Sequence, residues 1–153
     1  MLEAPNVLLP RNLLNLLSNK NAVALVATVG QSGIPNVAPF RLVVASGPER
    51  LRLAVARCTL TFQNILFNNT IALAFVEEGN LAVSVKGLAR VLREAMTCDP
   101  DLSIVEITAK EVKSFSWPDQ VVCQGIRAQF KNPTALIAAQ RIFAEIQEAE
   151  EDP

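Results

Sequence analysis

The densest concentration of chemically able side chains is RCTLTFQN, which carries Arg57, Cys58, Thr59, Thr61, Gln63 and Asn64. It follows the apolar run LRLAVA, and within it begins the series Phe62, Ile65, Leu66, spaced i, i+3, i+4 as on one face of a helix. A cation, a thiol, two hydroxyls and two amides are thus set where a strand gives way to a helix. The first N–H groups of a helix have no partner within it, and the aligned peptide dipoles leave partial positive charge there. Such a junction is suited to holding an anion, a phosphate for instance. A plainer reading needs no ligand: Thr59 or Thr61 caps the helix and Arg57 is solvated. Cys58 has the same two readings, a thiol made reactive by the helix start or an inert small residue.

What is missing narrows the chemistry further. The chain has no histidine and no tyrosine, which removes Ser-His-Asp and Cys-His catalysis and most zinc, non-haem iron and haem ligation. Cys58, Cys98 and Cys123 are widely spaced and form no CxxC pair, so three reduced thiols are expected rather than a disulfide framework. With few groups able to move protons near neutral pH, redox chemistry here would have to come from a bound cofactor. Arg41 lies inside an apolar strand and needs a carboxylate, a phosphate or an exposed face. Ser84 and Lys86 share a polar strand face, and Trp117 is the lone tryptophan, suited to stacking on a planar ring or to core or interface packing.

The elements that must position these residues are legible as a pattern. LPRNLLNLLSN predicts a short amphipathic helix, and AVALVATVG a strand buried on both sides. After the turn GQSGIP, a strand is expected through NVAPFRLVVA. A third, LRLAVAR, places Leu51, Leu53 and Val55 on one face, which together suggests a three-stranded meander. Beyond the helix ending at Asn68 and Asn69, TIALAFV and NLAVSVKGLARVL read as strands about the turn EEGN, with Gly87 as a bulge or barrel corner. LSIVEITAKEVKSF alternates Val105, Ile107 and Ala109 with Glu106, Thr108 and Lys110. The segment 116–132 is the least legible, with a strand expected near Val121 to Ile126. A closing helix, capped by Asn132 or Thr134 beside Pro133, sets Leu136, Ala139, Phe143 and Ile146 on one face, and the acidic tail from Glu148 is expected to fray.

In bulk, 153 residues suit a single domain, 1–153, built as a small barrel with helices at its ends. Half the residues are hydrophobic and 19% charged, a balance that favours burial against a second copy. A net charge of −1 offers no field for nucleic acid or an anionic membrane. No apolar run approaches the roughly 20 residues of a spanning helix, and Met1 is not followed by a signal-peptide core, so a cytoplasmic location is expected.

The segments ALVATVGQSGIPNVAPFRLVV, LRLAVARCTLTFQNILFNNTIALAFV and LAVSVKGLARVL, in that order, resemble the pyridoxamine-phosphate-oxidase-like FMN-binding split barrels. The resemblance implies a mainly β fold, an antiparallel split β-barrel with flanking helices, dimerising about a two-fold axis with FMN at the interface. It implies flavin against FRLVV, hence Arg41, Leu42 and Val43, with Arg41 where members often carry a phosphate- or flavin-contacting arginine. The phosphate would lie near the start of TFQNILFNN, and Thr61 falls where many members have a phosphate-binding lysine. Arg57 would then replace that charge, with Thr59, Thr61, Gln63 and Asn64 completing an anion cradle. The function so implied is a small flavin-dependent oxidoreductase of open substrate. The alternative is a non-catalytic binding or sensor protein that has lost flavin and holds another anionic small molecule, and a third reading is a relative using deazaflavin or haem-derived substrates.

Overall fold

The computed structural model describes residues 5–150. In chain order these form α1 (Arg11–Ser18), β1 (Ala24–Val29), β2 (Pro35–Phe40), β3 (Val43–Ala45), β4 (Arg50–Ala56), α2 (Leu60–Phe67), β5 (Thr70–Glu77), β6 (Leu81–Arg93), β7 (Leu102–Ser114) and α3 (Pro133–Glu148). The seven strands make one antiparallel sheet in the order β2-β1-β5-β6-β7-β4-β3.

That order forces curvature. β2 and β3 stand at opposite ends of the sheet, yet only Arg41 and Leu42 separate them in the chain. Three Cα steps reach at most about 11 Å, whereas six interstrand spacings in a flat sheet would cover about 29 Å. The sheet therefore curls back on itself into the half-barrel of a mainly β, split-barrel fold, flanked by three helices.

The expected meander is corrected by the same fact. NVAPFRLVVA is two strands, because Pro35 and Pro39 lack the N–H groups an inner strand must donate and confine β2 to an edge beside β1. At the break the Val43 N–H donates to the Arg41 carbonyl at 3.0 Å, and the Leu42 carbonyl accepts from Ala54 at 3.0 Å, which starts the β3–β4 pairing. β1 is also corrected: it buries Ala24, Val26 and Thr28 on one face and leaves the other half-buried. The β5–β6 hairpin turns through Gly79 and Asn80, both at positive φ. Gly87 marks a register shift between β6 and β7, as a bulge, and a side chain there would run into the Thr108 carbonyl. The strand expected near 121–126 is absent; that stretch has no regular structure and is tied to the hairpin through mutual bonds between Asn80 and Val122.

Two apolar cores result. The inner one joins Leu51, Leu53 and Val55 of β4 to Phe75, Val83, Val105 and Ile107, closed by Leu13 and Leu17 of α1 and by Phe62 and Ile65 of α2. The outer one packs Ala139, Ile142, Phe143 and Ile146 of α3 onto Val44, Ala54, Leu92 and Ile104. Asn132 caps α3, accepting from the Ala135 N–H at 2.8 Å. Leu136, expected on the packed face, is exposed, and Ile142 takes that role. α3 continues to Glu148 and Ala149 is buried, while the tail beyond 150 lies outside the described residues.

Burial of the outer face also changes the reading of β7, because Glu106 is not solvated. It is 3% exposed and lies in register between Arg52 of β4 and Arg90 of β6, each 3.0 Å away. Arg52 also donates to the Ile146 and Ala149 carbonyls at 3.0 and 2.7 Å, closing the end of α3. Burial pushes the Glu106 carboxyl up, but the hydrogen bonds and charges of Arg90 and Arg52 outweigh it and hold the group below 4.5. A carboxyl depressed in the folded state stabilises the fold above its unfolded value and loses that contribution as pH falls through the folded one. Glu106→Gln is expected to cost about 3 kcal/mol near neutral pH, and its thermal midpoint should fall less than that of wild type under acid. Equal acid sensitivity of the two proteins in calorimetry would contradict this.

Candidate functional site

The first candidate region is the start of α2. Thr59 is its cap: the hydroxyl accepts from the Phe62 N–H at 3.3 Å and donates to the Ala56 carbonyl at 2.7 Å. The plainer reading of this threonine is therefore met in full. Thr61 is buried, and its hydroxyl accepts from the Asn36 amide of β2 at 3.4 Å, so the side chain points inward where the resemblance places a lysine. Arg57 is exposed and donates to the Pro100 carbonyl at 2.6 Å, while its backbone N–H donates to Asp101. That contact uses one end of the guanidinium fork and leaves further N–H donors. Together with the first-turn N–H groups of Leu60 and Thr61, which no helix carbonyl can reach, Arg57 is what this junction retains for an anion.

Asn64 has a positioning role. It is buried, its amide donates to the Thr28 hydroxyl of β1 at 3.1 Å, and a side chain at Gly30 would collide with its carboxamide. Helix and strand meet here closely enough to require glycine. Gln63 is exposed and borders, with Asn64, Gln31, Ser32, Leu60 and Phe67, a cavity of about 230 Å³.

The second region is the β2–β3 link. Val43 is buried in the inner core and Leu42 packs toward α3, so of the three residues expected against flavin only Arg41 has an uncommitted polar group. Its guanidinium lies 4.7 Å over the Phe130 ring, and its Nε is buried without a partner. Arg41 lines three neighbouring cavities of about 340, 450 and 430 Å³. None of these three cavities reaches Gln63 or Asn64. The two regions are instead connected by β2, from Asn36 beside Thr61 to Arg41 five residues later, about 17 Å along a strand. A ligand touching both would lie along that edge.

Several residues here escape sequence reading. Phe130 and Arg127 belong to the illegible segment 116–132. Arg127 pairs with Glu77 and with Glu78 (3.2 Å), binding the segment to the β5–β6 hairpin. Burial raises the Glu77 carboxyl, but the Glu78 N–H and Arg127 hold it below its ordinary value. Lys86 faces Glu111 at 3.9 Å, and Trp117 stacks on Phe115 with ring centres 6.5 Å apart, both partly exposed. Cys58, Cys98 and Cys123 are free and exposed. Among the described residues, no helix is long and apolar enough to cross a membrane.

Residues 10–116 match the family model of pyridoxamine 5'-phosphate oxidase, and the chain belongs to that family. No curated protein matches the sequence. Among solved structures, HupZ of Group A Streptococcus is similar at 21% identity and TM-score 0.61, over 79% of this chain and 99% of that one. An FMN-binding protein from Syntrophomonas wolfei is similar at 14% and 0.55, over 70% and 84%. The heme storage protein HutZ from Vibrio cholerae is similar at 10% and 0.55, over 68% and 93%. At these identities the likeness shows a shared fold.

The close seat of α2 on β1 is testable. Gly30→Ala is expected to destabilise by about 1–3 kcal/mol. Asn64→Ala should lose the bond to Thr28 yet make room at residue 30. The double variant should then be more stable than the sum of the single effects, and strict additivity in denaturant titrations would refute the contact.

Proposed function

We propose that this protein is an FMN-binding flavoprotein, a small flavin-dependent oxidoreductase that works as a cytoplasmic homodimer on a small-molecule substrate. The observation that carries the reading is the junction before α2, where an exposed arginine with spare donors stands beside first-turn N–H groups that no helix carbonyl can reach. Membership of the family supports it, as does a similar solved structure described as FMN-binding. Bound FMN would supply the electron transfer. Of the chain's own residues, Arg57 and the N–H groups of Leu60 and Thr61 would hold the phosphate, Thr59 and Asn64 would fix the helix that presents them, and Arg41 would meet the ligand's other end. Ile34 just before β2, Val37 of β2, and Leu60 and Phe67 of α2 are more than half exposed, an apolar surface that a second copy would cover.

A second reading, a binding or sensor protein that has lost flavin and holds another anionic small molecule, is favoured by one observation: Thr61, at the family's lysine position, is buried and bonded to Asn36. Yellow colour and a visible absorption band on purification separate the two. Arg57→Ala is expected to weaken FMN binding about ten- to a hundredfold. Riboflavin, lacking the phosphate, should bind wild type far more weakly than FMN and be indifferent to that change. Equal calorimetric affinities for FMN and riboflavin would remove the phosphate site and with it this reading. Light scattering at micromolar concentration should give twice the chain mass; a persistent monomer would exclude the dimer.

A further inference from the structure

Between β7 and α3 the chain runs through residues 115–132 with no helix or strand, only an isolated bridge between Trp117 and Gln120. A connection longer than about 15 residues without structure of its own is uncommon in a compact domain and is usually functional or disordered. It lies almost wholly beyond residue 116, where the match to the family model ends, so its role has to be read from its own contacts. None of residues 116–132 is buried, and among them only Phe130 packs against a core. The hold on the barrel is therefore polar, and it falls on the β5–β6 hairpin. The Asn80 N–H donates to the Val122 carbonyl at 3.0 Å, and the Val122 N–H to the Asn80 side chain at 2.9 Å. Arg127 pairs with Glu77 and, at 3.2 Å, with Glu78. Between these ties Gly125 runs so close to the hairpin that a side chain there would run into the Val76 carbonyl.

What this strap covers is the cavity of about 340 Å³ at Arg41. Arg127 and Ala128 supply the strap's side of it, Glu77 and Glu78 the hairpin's, and Arg41 the β2–β3 link's. The closed strap thus leaves space beneath it instead of filling the site. Both ends of the strap are fixed to rigid elements. The Phe115 N–H donates to the Ala82 carbonyl at 2.8 Å, and at the other end Phe130 packs on the outer core just before the Asn132 cap of α3. An element that buries no side chain of its own and is tied at a few polar points opens at lower free energy than the cores it rests on.

From a strap held by polar ties over a cavity it helps to line, we propose that residues 117–129 are a lid, which parts from the β5–β6 hairpin to admit the end of the flavin that meets Arg41 and closes again to retain it. This rests on the flavin reading above and adds the element that controls entry and release. Asn80, Gly125 and the pairs of Arg127 with Glu77 and Glu78 are its latch. Because the closed strap lines the site, a ligand beneath it favours closure, and by reciprocity a weakened latch shortens the ligand's stay.

Gly125→Ala and Asn80→Gly loosen the latch without altering any side chain that lines the cavity, and position 80, at positive φ, accepts glycine. Trypsin must draw Arg127 out of its ion pairs to cleave after it, so native-state cleavage there, followed on the full chain by mass spectrometry, reports the open strap. In wild type that cleavage should run far ahead of cleavage after Arg52 inside β4, and saturating FMN should slow it. In each variant it should be at least about tenfold faster than in wild type, and FMN release, read by stopped-flow flavin fluorescence, should quicken about as much. Thermal unfolding of the barrel should stay close to that of wild type. Should Gly125→Ala fail to fold, Asn80→Gly carries both measurements. Cleavage at Arg127 no faster than at Arg52, cleavage indifferent to FMN, or equal FMN release from wild type and a folded variant would overturn the lid and leave the flavin assignment standing. No FMN binding by wild type would remove that assignment and the lid with it.

Discussion

The two-residue link at Arg41 and Leu42 is the constraint on which the rest of the structure depends. Because it joins the first and last strands of the sheet order, the sheet cannot lie flat. Curling gives β4 and its neighbours an inside, filled by Leu53, Phe75 and Ile107, and an outside that must be covered separately. Backbone at the link is also where regular pairing stops, so a side chain placed there is released from the alternation of a strand. Arg41 is that side chain, and this is why it borders several cavities at once.

Covering the outside falls to α3, and a polar arrangement fixes where the helix stops. Glu106 sits between Arg52 and Arg90 on three adjacent strands, and Arg52 passes the connection to the last carbonyls of α3. Near the other side of the helix Glu145 accepts from the Thr97 and Cys98 N–H groups and from Arg93, tying α3 to the β6–β7 connection. Apolar packing alone would let a helix slide over a sheet. Directional bonds to charged partners restrict that motion, and an unpaired partner in the same place would be costly.

At the opposite side α2 is positioned by contacts of another kind. Thr59 caps the helix and holds it to the last residue of β4, Asn64 reaches Thr28, and Gly30 permits the approach. What this end presents to solvent is backbone N–H groups and one exposed arginine. Thr61, by contrast, is buried and bonded to Asn36, so its side chain serves packing between α2 and β2.

Much of this was legible in the residues. Hydrophobic spacing determined α1, α2, α3 and most strands, Gly87 announced its bulge, and the order of segments indicated the split barrel and its family. Prolines at 35 and 39 also held the edge position of β2, although periodicity by itself ran β2 and β3 together. The tertiary structure decided what depends on contacts far apart in the chain: that Glu106 is buried between arginines, that Thr61 faces inward, that 121–126 pairs with no strand, and that Arg41 meets Phe130 beneath α3. Local periodicity reports which face of an element is apolar, since that follows from side-chain geometry within a few residues. Whether a polar residue on the other face meets water, an ion-pair partner or a ring depends on which distant element is folded over it, and the curl of the sheet sets that.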